Sequence, residues 1–281
     1  MLRLIKSRVV RSFSWPFLAV LRFFVYLPVD IVERLVGRRD AITPPRRFFF
    51  GRTDGYKEIG EKFRGYFIDL GGLNPNDRIL DAGCGIGRMA VPLTSYLNQE
   101  GRYEGFDIVP SSVKWCRKRI TPIYPNFHFQ HVNLYNKSYN PKGNRNASEF
   151  EFPYEDESFD FSFLTSVFTH MLPDDIENYL AEICRVLKSG GTCLITYFLI
   201  NDVSRSFADS DAQSRDFKFE KEKYLTINEQ TPEAAVAYEE SYVRELYDAN
   251  GLRLKEPIRY GSWCNRSEYL DFQDIIVAQK V

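Results

Sequence analysis

Apolar and polar positions follow two alternating periods through the middle of the chain. Short apolar runs predict buried strands at residues 78–81, 103–107, 127–132, 159–165 and 192–199. Stretches with an apolar residue every three or four positions predict helices at residues 56–70, 88–97, 111–120 and 173–187. Strands that alternate with helices at this spacing indicate a mostly parallel sheet with helices on both faces.

The pattern changes after residue 200. Residues 201–232 are polar and charged, and "DFKFEKEKYLTI" alternates like a small exposed strand. We interpret this stretch as an insertion beside the sheet. A helix at residues 232–250 and two strands at residues 252–260 and 273–281 follow. The two last strands predict an antiparallel hairpin that closes the sheet.

The first 45 residues form a basic, apolar arm. Apolar residues of the arm fall on one helical stripe: Phe17, Leu21, Phe24, Ile31 and Leu35. Pro28 is predicted to separate two short helices, and Gly37 to close the second. Arg22 interrupts the apolar run, so no membrane-spanning segment is expected. Two interpretations stay open: residues 1–40 lie on an anionic membrane surface, or they pack as a helical cap on the main domain.

Charge and cysteine content narrow the classes of function. Residues 1–50 hold ten Lys or Arg and three Asp or Glu, and the remainder holds 27 and 35. An acidic body argues against a nucleic-acid binder. The five cysteines include no C-x-x-C pair, so neither disulfides nor a zinc site are expected, and a cytoplasmic location fits.

The densest chemical signal is the stretch "RILDAGCGIGRMAVPL" at residues 78–93. A strand ends on Asp81 and runs into Gly83, Gly85 and Gly87. Such glycines let another group approach the backbone, and the start of the next helix favours an anion. The G-x-G-x-G spacing differs from the G-x-G-x-x-G of dinucleotide folds, which disfavours a nicotinamide dehydrogenase.

Polar residues end the neighbouring predicted strands. Asp107 ends the second strand, where an acid can hold a ribose diol, and Asn133 follows the third. A polar and aromatic cluster, "TSVFTHML", follows the fourth. Ligands of open parallel sheets bind beyond the carboxyl ends of the strands, where all these residues fall.

Taken together, the segments "ILDAGCGIGRMA", "YEGFDIVPSSV", "NLYN", "FPYEDESFDFSFLTSVFTHML" and "EICRVLKSGGTCLITYF" resemble the ordered motifs of class I S-adenosylmethionine-dependent methyltransferases. The resemblance covers roughly residues 78–198. It implies a Rossmann-like α/β three-layer sandwich with a seven-stranded, mostly parallel sheet that ends in an antiparallel hairpin. The domain would span residues 46–281 behind the N-terminal helical arm, and its cofactor would be S-adenosylmethionine.

The resemblance also implies which residues meet the methionine part of the cofactor. Four residues of the glycine turn would pass close to it: Gly83, Cys84, Gly85 and Gly87. Asp81 would meet its amino group, directly or through water. Arg88 would either reach its carboxylate or face solvent.

A second group is implied for the adenosine part and the sulfonium. Asp107 would hold the ribose hydroxyls, and Ile108 would pack on the adenine. Asn133 and Leu134 would flank the adenine ring. The floor beneath the sulfonium would be lined by Ser166, Val167 and Phe168.

His170 is the best candidate for a general base, because it follows the fourth strand beside the expected methyl position. It can equally be a wall residue of the cofactor pocket. Tyr197, near the end of the fifth strand, is a weaker candidate. "TSVF" stands where an N-P-P-Y-type tetrapeptide would favour methylation of amino groups in bases or glutamine.

The acceptor is predicted to be a small molecule, a sugar or a lipid. O-methylation of a sugar or a lipid-linked saccharide is the leading hypothesis, since the basic arm suggests a membrane and the many aromatics can stack on sugars. C-methylation of a quinone or lipid is the alternative. A non-catalytic module that binds S-adenosylmethionine is a third hypothesis.

Overall fold

A central sheet of seven strands organises the chain in the computed structural model, which describes residues 15–37, 39–48, 55–208 and 217–281. In chain order, the strands of the described residues are β1 (Arg78–Ala82), β2 (Arg102–Asp107), β3 (Phe127–His131), β4 (Phe159–Leu164), β5 (Leu187–Tyr197), β6 (Leu199–Ile200), β7 (Phe219–Glu220), β8 (Tyr224–Thr226), β9 (Val236–Glu239), β10 (Leu252–Leu254) and β11 (Asp274–Lys280). The central sheet has the order β10-β11-β5-β4-β1-β2-β3.

Strand β11 alone runs antiparallel to its neighbours β5 and β10, and the other pairings in this sheet are parallel. The predicted seven-stranded, mostly parallel sheet with a closing antiparallel hairpin is therefore confirmed. The carboxyl ends of β1, β2, β4 and β5 meet at one edge, where the predicted site residues lie.

Helices cover both faces of the sheet. The α-helices of the described residues are α1 (Trp15–Leu35), α2 (Tyr56–Asp69), α3 (Ala90–Leu93), α4 (Pro110–Arg119), α5 (Pro173–Val186), α6 (Asp202–Ala208) and α7 (Glu240–Ala249). Helices α2, α3 and α4 bury apolar residues against one face, and α5 and α7 against the other. This arrangement is the predicted three-layer sandwich.

Two predicted helices are shorter than expected. The helix predicted at residues 88–97 is reduced to α3, which begins three residues after Gly87, so it offers no helix N-terminus at the glycine turn. The helix predicted at residues 232–250 begins only at Glu240. Residues 236–239 form β9 instead, because Val236, Ala237 and Tyr238 are all buried and a strand lets them contact both sides.

The predicted insertion contributes β7 and β8 to a second, smaller sheet with the order β6-β9-β8-β7, and β6 and β9 flank the insertion in the chain. The stretch predicted as one exposed strand is split into β7 and β8, which pair antiparallel. One residue, Phe198, separates β5 from β6, so the two sheets share one continuous stretch of backbone.

In the N-terminal arm, α1 is one helix that continues through Pro28, so the prediction of two short helices is wrong. Within the predicted stripe, Phe24, Ile31 and Leu35 are exposed, whereas Phe17 and Leu21 lie outside the described side chains. No helix in the described ranges is long and apolar enough to cross a membrane.

Buried Asp30 ties α1 to the segment that follows it. Its carboxylate accepts hydrogen bonds from the backbone N–H groups of Arg46 and Arg47, and it forms ion pairs with the side chains of Arg39 and Arg47. Asp40 continues the chain of contacts through an ion pair with Lys57 on α2. The polar side of α1 therefore docks on residues 39–48, while Phe24, Ile31 and Leu35 are exposed to solvent.

Candidate functional site

The glycine turn (residues 83–87) begins where β1 ends. Gly83, Gly85 and Gly87 all adopt positive φ, at 98°, 52° and 80°. A Cβ on Gly83 would lie 2.4 Å from Val167 Cγ2, so no larger residue fits there. A Cβ on Gly85 would meet nothing within 4 Å, because this glycine opens onto a pocket. The turn thus presents bare backbone to a ligand.

Asp107, at the end of β2, braces the turn from the neighbouring strand. Its Oδ2 accepts a hydrogen bond of 2.8 Å from Gly85 N–H, and its Oδ1 accepts one of 2.7 Å from Val109 N–H. Burial raises the pKa of Asp107, and these two backbone hydrogen bonds oppose the rise. Each carboxylate oxygen has a further lone pair, so Asp107 can still accept hydrogen bonds from hydroxyl groups in the pocket.

Asp81, at the end of β1, is buried beneath the turn. Tyr103 O–H donates to its Oδ2, while its Oδ1 is buried with no hydrogen-bond partner in the described structure. Burial raises the pKa of Asp81 to about 8, and the hydrogen bond from Tyr103 opposes the rise. A cationic donor near Oδ1 would therefore be favourable.

The pocket brings together eight of the residues that the sequence predicted. These lining residues are Gly83, Gly85, Asp107, Ile108, Leu134, Ser166, Val167 and His170. They come from the ends of β1, β2, β3 and β4, as the topology of a parallel sheet requires.

Several predicted cofactor residues do not line the pocket. Asp81 and Phe168 are buried behind it, and Cys84 packs its Cβ against Gly105. Gly87 contacts Ile120 and Cys116 of the helix layer. Arg88 is half-buried beside Tyr56. This position does not fit the alternative in which Arg88 faces open solvent.

Two predicted site residues, Asn133 and Tyr197, do not lie in the pocket, and the prediction is corrected for both. The exposed Asn133 amide donates to Asn144 and accepts from Asn140, so the following loop holds it away from the pocket. Tyr197 is fully buried in the core, and its hydroxyl hydrogen-bonds that of Tyr247 at 3.0 Å. Burial also raises the pKa of Tyr197 far above its usual range, so this phenol cannot serve as a base.

Sequence reasoning missed one wall of the pocket. The segment that follows β3 lines the cavity with Tyr135, Asn136, Tyr139 and Ala147. The sequence feature that could have indicated this wall is a pair of tyrosines, Tyr135 and Tyr139, in an otherwise polar stretch. Helix α5 supplies further lining side chains at its first turns, where burial raises the pKa of Asp175.

His170 is fixed in one orientation by the insertion. Its Nδ1 lies 2.9 Å from the backbone carbonyl oxygen of Glu233, just before β9, and its ring meets Tyr139 edge to face at 5.5 Å. A carbonyl oxygen can only accept, so Nδ1 carries the proton. The neutral imidazole then has its lone pair on Nε2, the form that a general base needs.

Ser166 adopts a left-handed backbone conformation, with φ of 59°, which is uncommon for a residue other than glycine. Its N–H donates to Thr196 Oγ1 and its hydroxyl donates to Gln273 Oε1. Thr196 on β5 and Gln273, just before β11, thus hold this turn of the pocket floor in a strained shape, a feature that concentrates at functional sites.

Comparison with known proteins identifies a methyltransferase domain in this chain. Residues 80–195 match a family model described as a methyltransferase domain. A tRNA N(3)-cytidine methyltransferase of Gallus gallus is 27% identical over 143 residues, which are 48% of this chain and 34% of that protein. A 2-phytyl-1,4-naphtoquinone methyltransferase of Trichormus variabilis is 27% identical over 127 residues, covering 45% and 49%. The alignments thus span half or less of these relatives.

Two solved structures share the fold. A S-adenosylmethionine-dependent methyltransferase from Methanosarcina mazei gives a TM-score of 0.52 at 19% identity, covering 76% of this chain and 97% of that one. A protein from Pyrococcus horikoshii gives a TM-score of 0.54 at 16% identity, covering 81% and 92%. Both likenesses concern the architecture of the domain.

Proposed function

Because the chain belongs to the class I S-adenosylmethionine-dependent methyltransferases, we propose that it methylates a hydroxyl group of a small-molecule acceptor. When bound, S-adenosylmethionine supplies a methyl group that an acceptor oxygen can take. The observation that carries the proposal is the hydrogen bond from His170 Nδ1 to the Glu233 carbonyl, which leaves the lone pair on Nε2. In this proposal Nε2 takes the hydroxyl proton of the acceptor.

The residues present fit the cofactor. We propose that Asp107 holds the ribose hydroxyls with its remaining lone pairs and that Ile108 and Leu134 flank the adenine. The open space above Gly85 would admit the methionine chain. The unpartnered Oδ1 of Asp81 would favour the amino group, which we expect to reach it through water since Asp81 does not line the pocket.

For the acceptor we keep a sugar or lipid-linked saccharide as the leading class. Tyr135 and Tyr139 place aromatic rings in the pocket beside His170, and such rings can stack on a sugar. We expect no nucleic-acid acceptor, because the chain after residue 50 carries more acidic than basic residues.

The exposed apolar side of α1 supports a cytoplasmic protein that attaches peripherally to a membrane. Phe24, Ile31 and Leu35 are exposed there, close to Arg34 and to a segment that holds Arg39, Arg46 and Arg47. Apolar side chains beside arginines are typical of helices that lie in the interface of an anionic membrane.

C-methylation of a quinone is the second candidate, favoured by the relative named as a naphtoquinone methyltransferase. An activated ring carbon needs a weaker base than a sugar hydroxyl does. Loss of His170 would therefore affect this reaction less.

Incubation with cofactor labelled in its methyl group and fractionated cell extract tests the acceptor class, because the label enters glycan, lipid or protein. On the labelled fraction, we expect His170→Ala to slow methyl transfer by about 10²–10⁴-fold while cofactor binding stays nearly intact. His128→Ala, at a half-exposed histidine on β3, is the control and should retain activity. Unchanged turnover in His170→Ala would make His170 a wall residue and contradict the proposed base.

A further inference from the structure

A second groove lies away from the cofactor pocket, between α6 and the connection from β10 to β11. Apolar side chains form one wall: Val203, Phe207, Ile258 and Leu270. Arg259, Arg266 and Tyr269 line the rest, together with Ser267 and Glu268. Apolar side chains and two arginines thus line the same groove.

Arg266 lies on a prepared surface. Its guanidinium stacks on the ring of Tyr260 at 4.2 Å, and the Tyr260 hydroxyl donates to Glu240, which in turn pairs with Arg244. The Tyr260 ring is thus anchored from its far end. A guanidinium held over a fixed ring can still present N–H groups to an anion.

Neither arginine forms an ion pair within the described part of the chain, and Arg266 Nε is buried without a hydrogen-bond acceptor. Asp274 is near Arg266, but its carboxylate accepts hydrogen bonds from Leu199 N–H, Gly261 N–H and Trp263 Nε1–H. An unsatisfied buried donor is unfavourable, so a ligand that supplies an acceptor would stabilise this arginine.

The connection that forms the groove also reaches the cofactor pocket. Gln273 on the same connection accepts the hydrogen bond from Ser166, which lines that pocket. A molecule seated in the groove is therefore held by the same segment that braces the floor of the candidate active site.

We propose that this groove binds a phosphate or diphosphate group attached to an apolar chain, with Arg259 and Arg266 holding the anion. Phosphate oxygens match the fork of a guanidinium, and the apolar wall suits a hydrocarbon chain. Glu268, which also lines the groove, is exposed and can turn into solvent. The inference rests on the proposed function only in taking this molecule to be the methyl acceptor.

Titration calorimetry on the full chain tests the site without any methyl transfer, so its failure is separate from failure of the proposed reaction. Geranyl diphosphate and inorganic pyrophosphate are the two probes. We expect Arg266→Gln and Arg259→Gln each to weaken binding at least tenfold. Arg253→Gln, at an exposed arginine of β10 outside the groove, is the matched control and should bind like the unmodified chain.

The two probes distinguish the source of the phosphate. Geranyl diphosphate bound at least tenfold more tightly than pyrophosphate supports a lipid-linked group, and equal affinities support a water-soluble phosphate. Binding of neither probe, or binding that both glutamine variants retain, overturns the proposal. Circular dichroism checks the fold of each variant, and Arg259→Gln decides the matter if Arg266→Gln fails to fold.

Discussion

At the scale of single residues, Asp81 gives the sharpest pH dependence. Its native-state pKa is about 8, against an ordinary value of 3.8, because it is buried. Between those two pH values the native state keeps a proton that the unfolded chain has lost. Rising pH therefore lowers the free energy of unfolding over this window.

Asp81→Asn tests this effect, since an asparagine oxygen can still accept the hydrogen bond from Tyr103 but cannot ionise. We expect the free energy of unfolding of the unmodified protein, minus that of the variant, to fall by ~1 kcal/mol or more between about pH 5 and pH 8. Urea unfolding of the cofactor-free protein at both pH values measures it. Asp274, whose pKa burial raises to about 6, is present in both proteins and cancels. A difference that does not change with pH would contradict the prediction.

The sequence could place residues at the strand ends but not the direction of each side chain. Asp107 and Gly85 meet in the pocket because their positions follow directly from strand boundaries. Asn133 lies one residue before a lining leucine, yet its side chain is held by a loop whose shape depends on contacts distant in sequence. The hydrogen bond between His170 and Glu233 joins segments 63 residues apart, and no local pattern encodes it.

At the scale of elements, α1 provides a test of membrane attachment. Replacing Phe24, Ile31 and Leu35 by Ser removes side chains that are 66%, 50% and 80% exposed. Because they contribute little to the core, we expect the melting temperature to stay the same. Binding to phosphatidylcholine vesicles with anionic phosphatidylglycerol should fall at least tenfold, since each large apolar side chain gains about 1.5–3 kcal/mol when it is buried.

The control for this prediction is Ile123→Ser, which removes an isoleucine that is 52% exposed on the main domain. Vesicle sedimentation compares the three proteins. A large drop in melting temperature for the α1 variant would instead identify the arm as a structural cap. Unchanged vesicle binding of the α1 variant would contradict the proposal that α1 lies on a membrane surface.

Elements with strong periodicity were predictable, and those decided by tertiary contacts were not. The strand–helix alternation from β1 to β5 follows from runs that are buried on both faces. Residues 232–239 also look helical, but pairing with β8 converts Val236–Glu239 into a strand. Pro28 was predicted to separate two helices, but α1 continues through it as one helix.

At the scale of the whole molecule, ligand binding should raise stability by mass action. S-adenosylmethionine at 100 times its dissociation constant adds about 2.7 kcal/mol to the free energy of unfolding. For a chain of this size we expect the melting temperature to rise by roughly 4–5 °C. A nicotinamide dinucleotide at the same concentration is the control and should cause no shift.

Differential scanning fluorimetry measures both shifts. A rise in melting temperature with the nicotinamide dinucleotide but not with S-adenosylmethionine would contradict S-adenosylmethionine as the cofactor of this protein. A shift with S-adenosylmethionine, without label transfer to any extract fraction, would favour a non-catalytic binding module over an enzyme.

The shared backbone of the two sheets has a consequence for protein engineering. The main sheet supplies Asp107 and the glycine turn, whereas the connection between β8 and β9 of the small sheet supplies the carbonyl oxygen of Glu233 that orients His170. Residues 227–235, which connect β8 to β9, are therefore a segment whose exchange would alter the surroundings of His170. Taking this segment from relatives would vary the groups beside His170, while Asp107 and the glycine turn would stay the same.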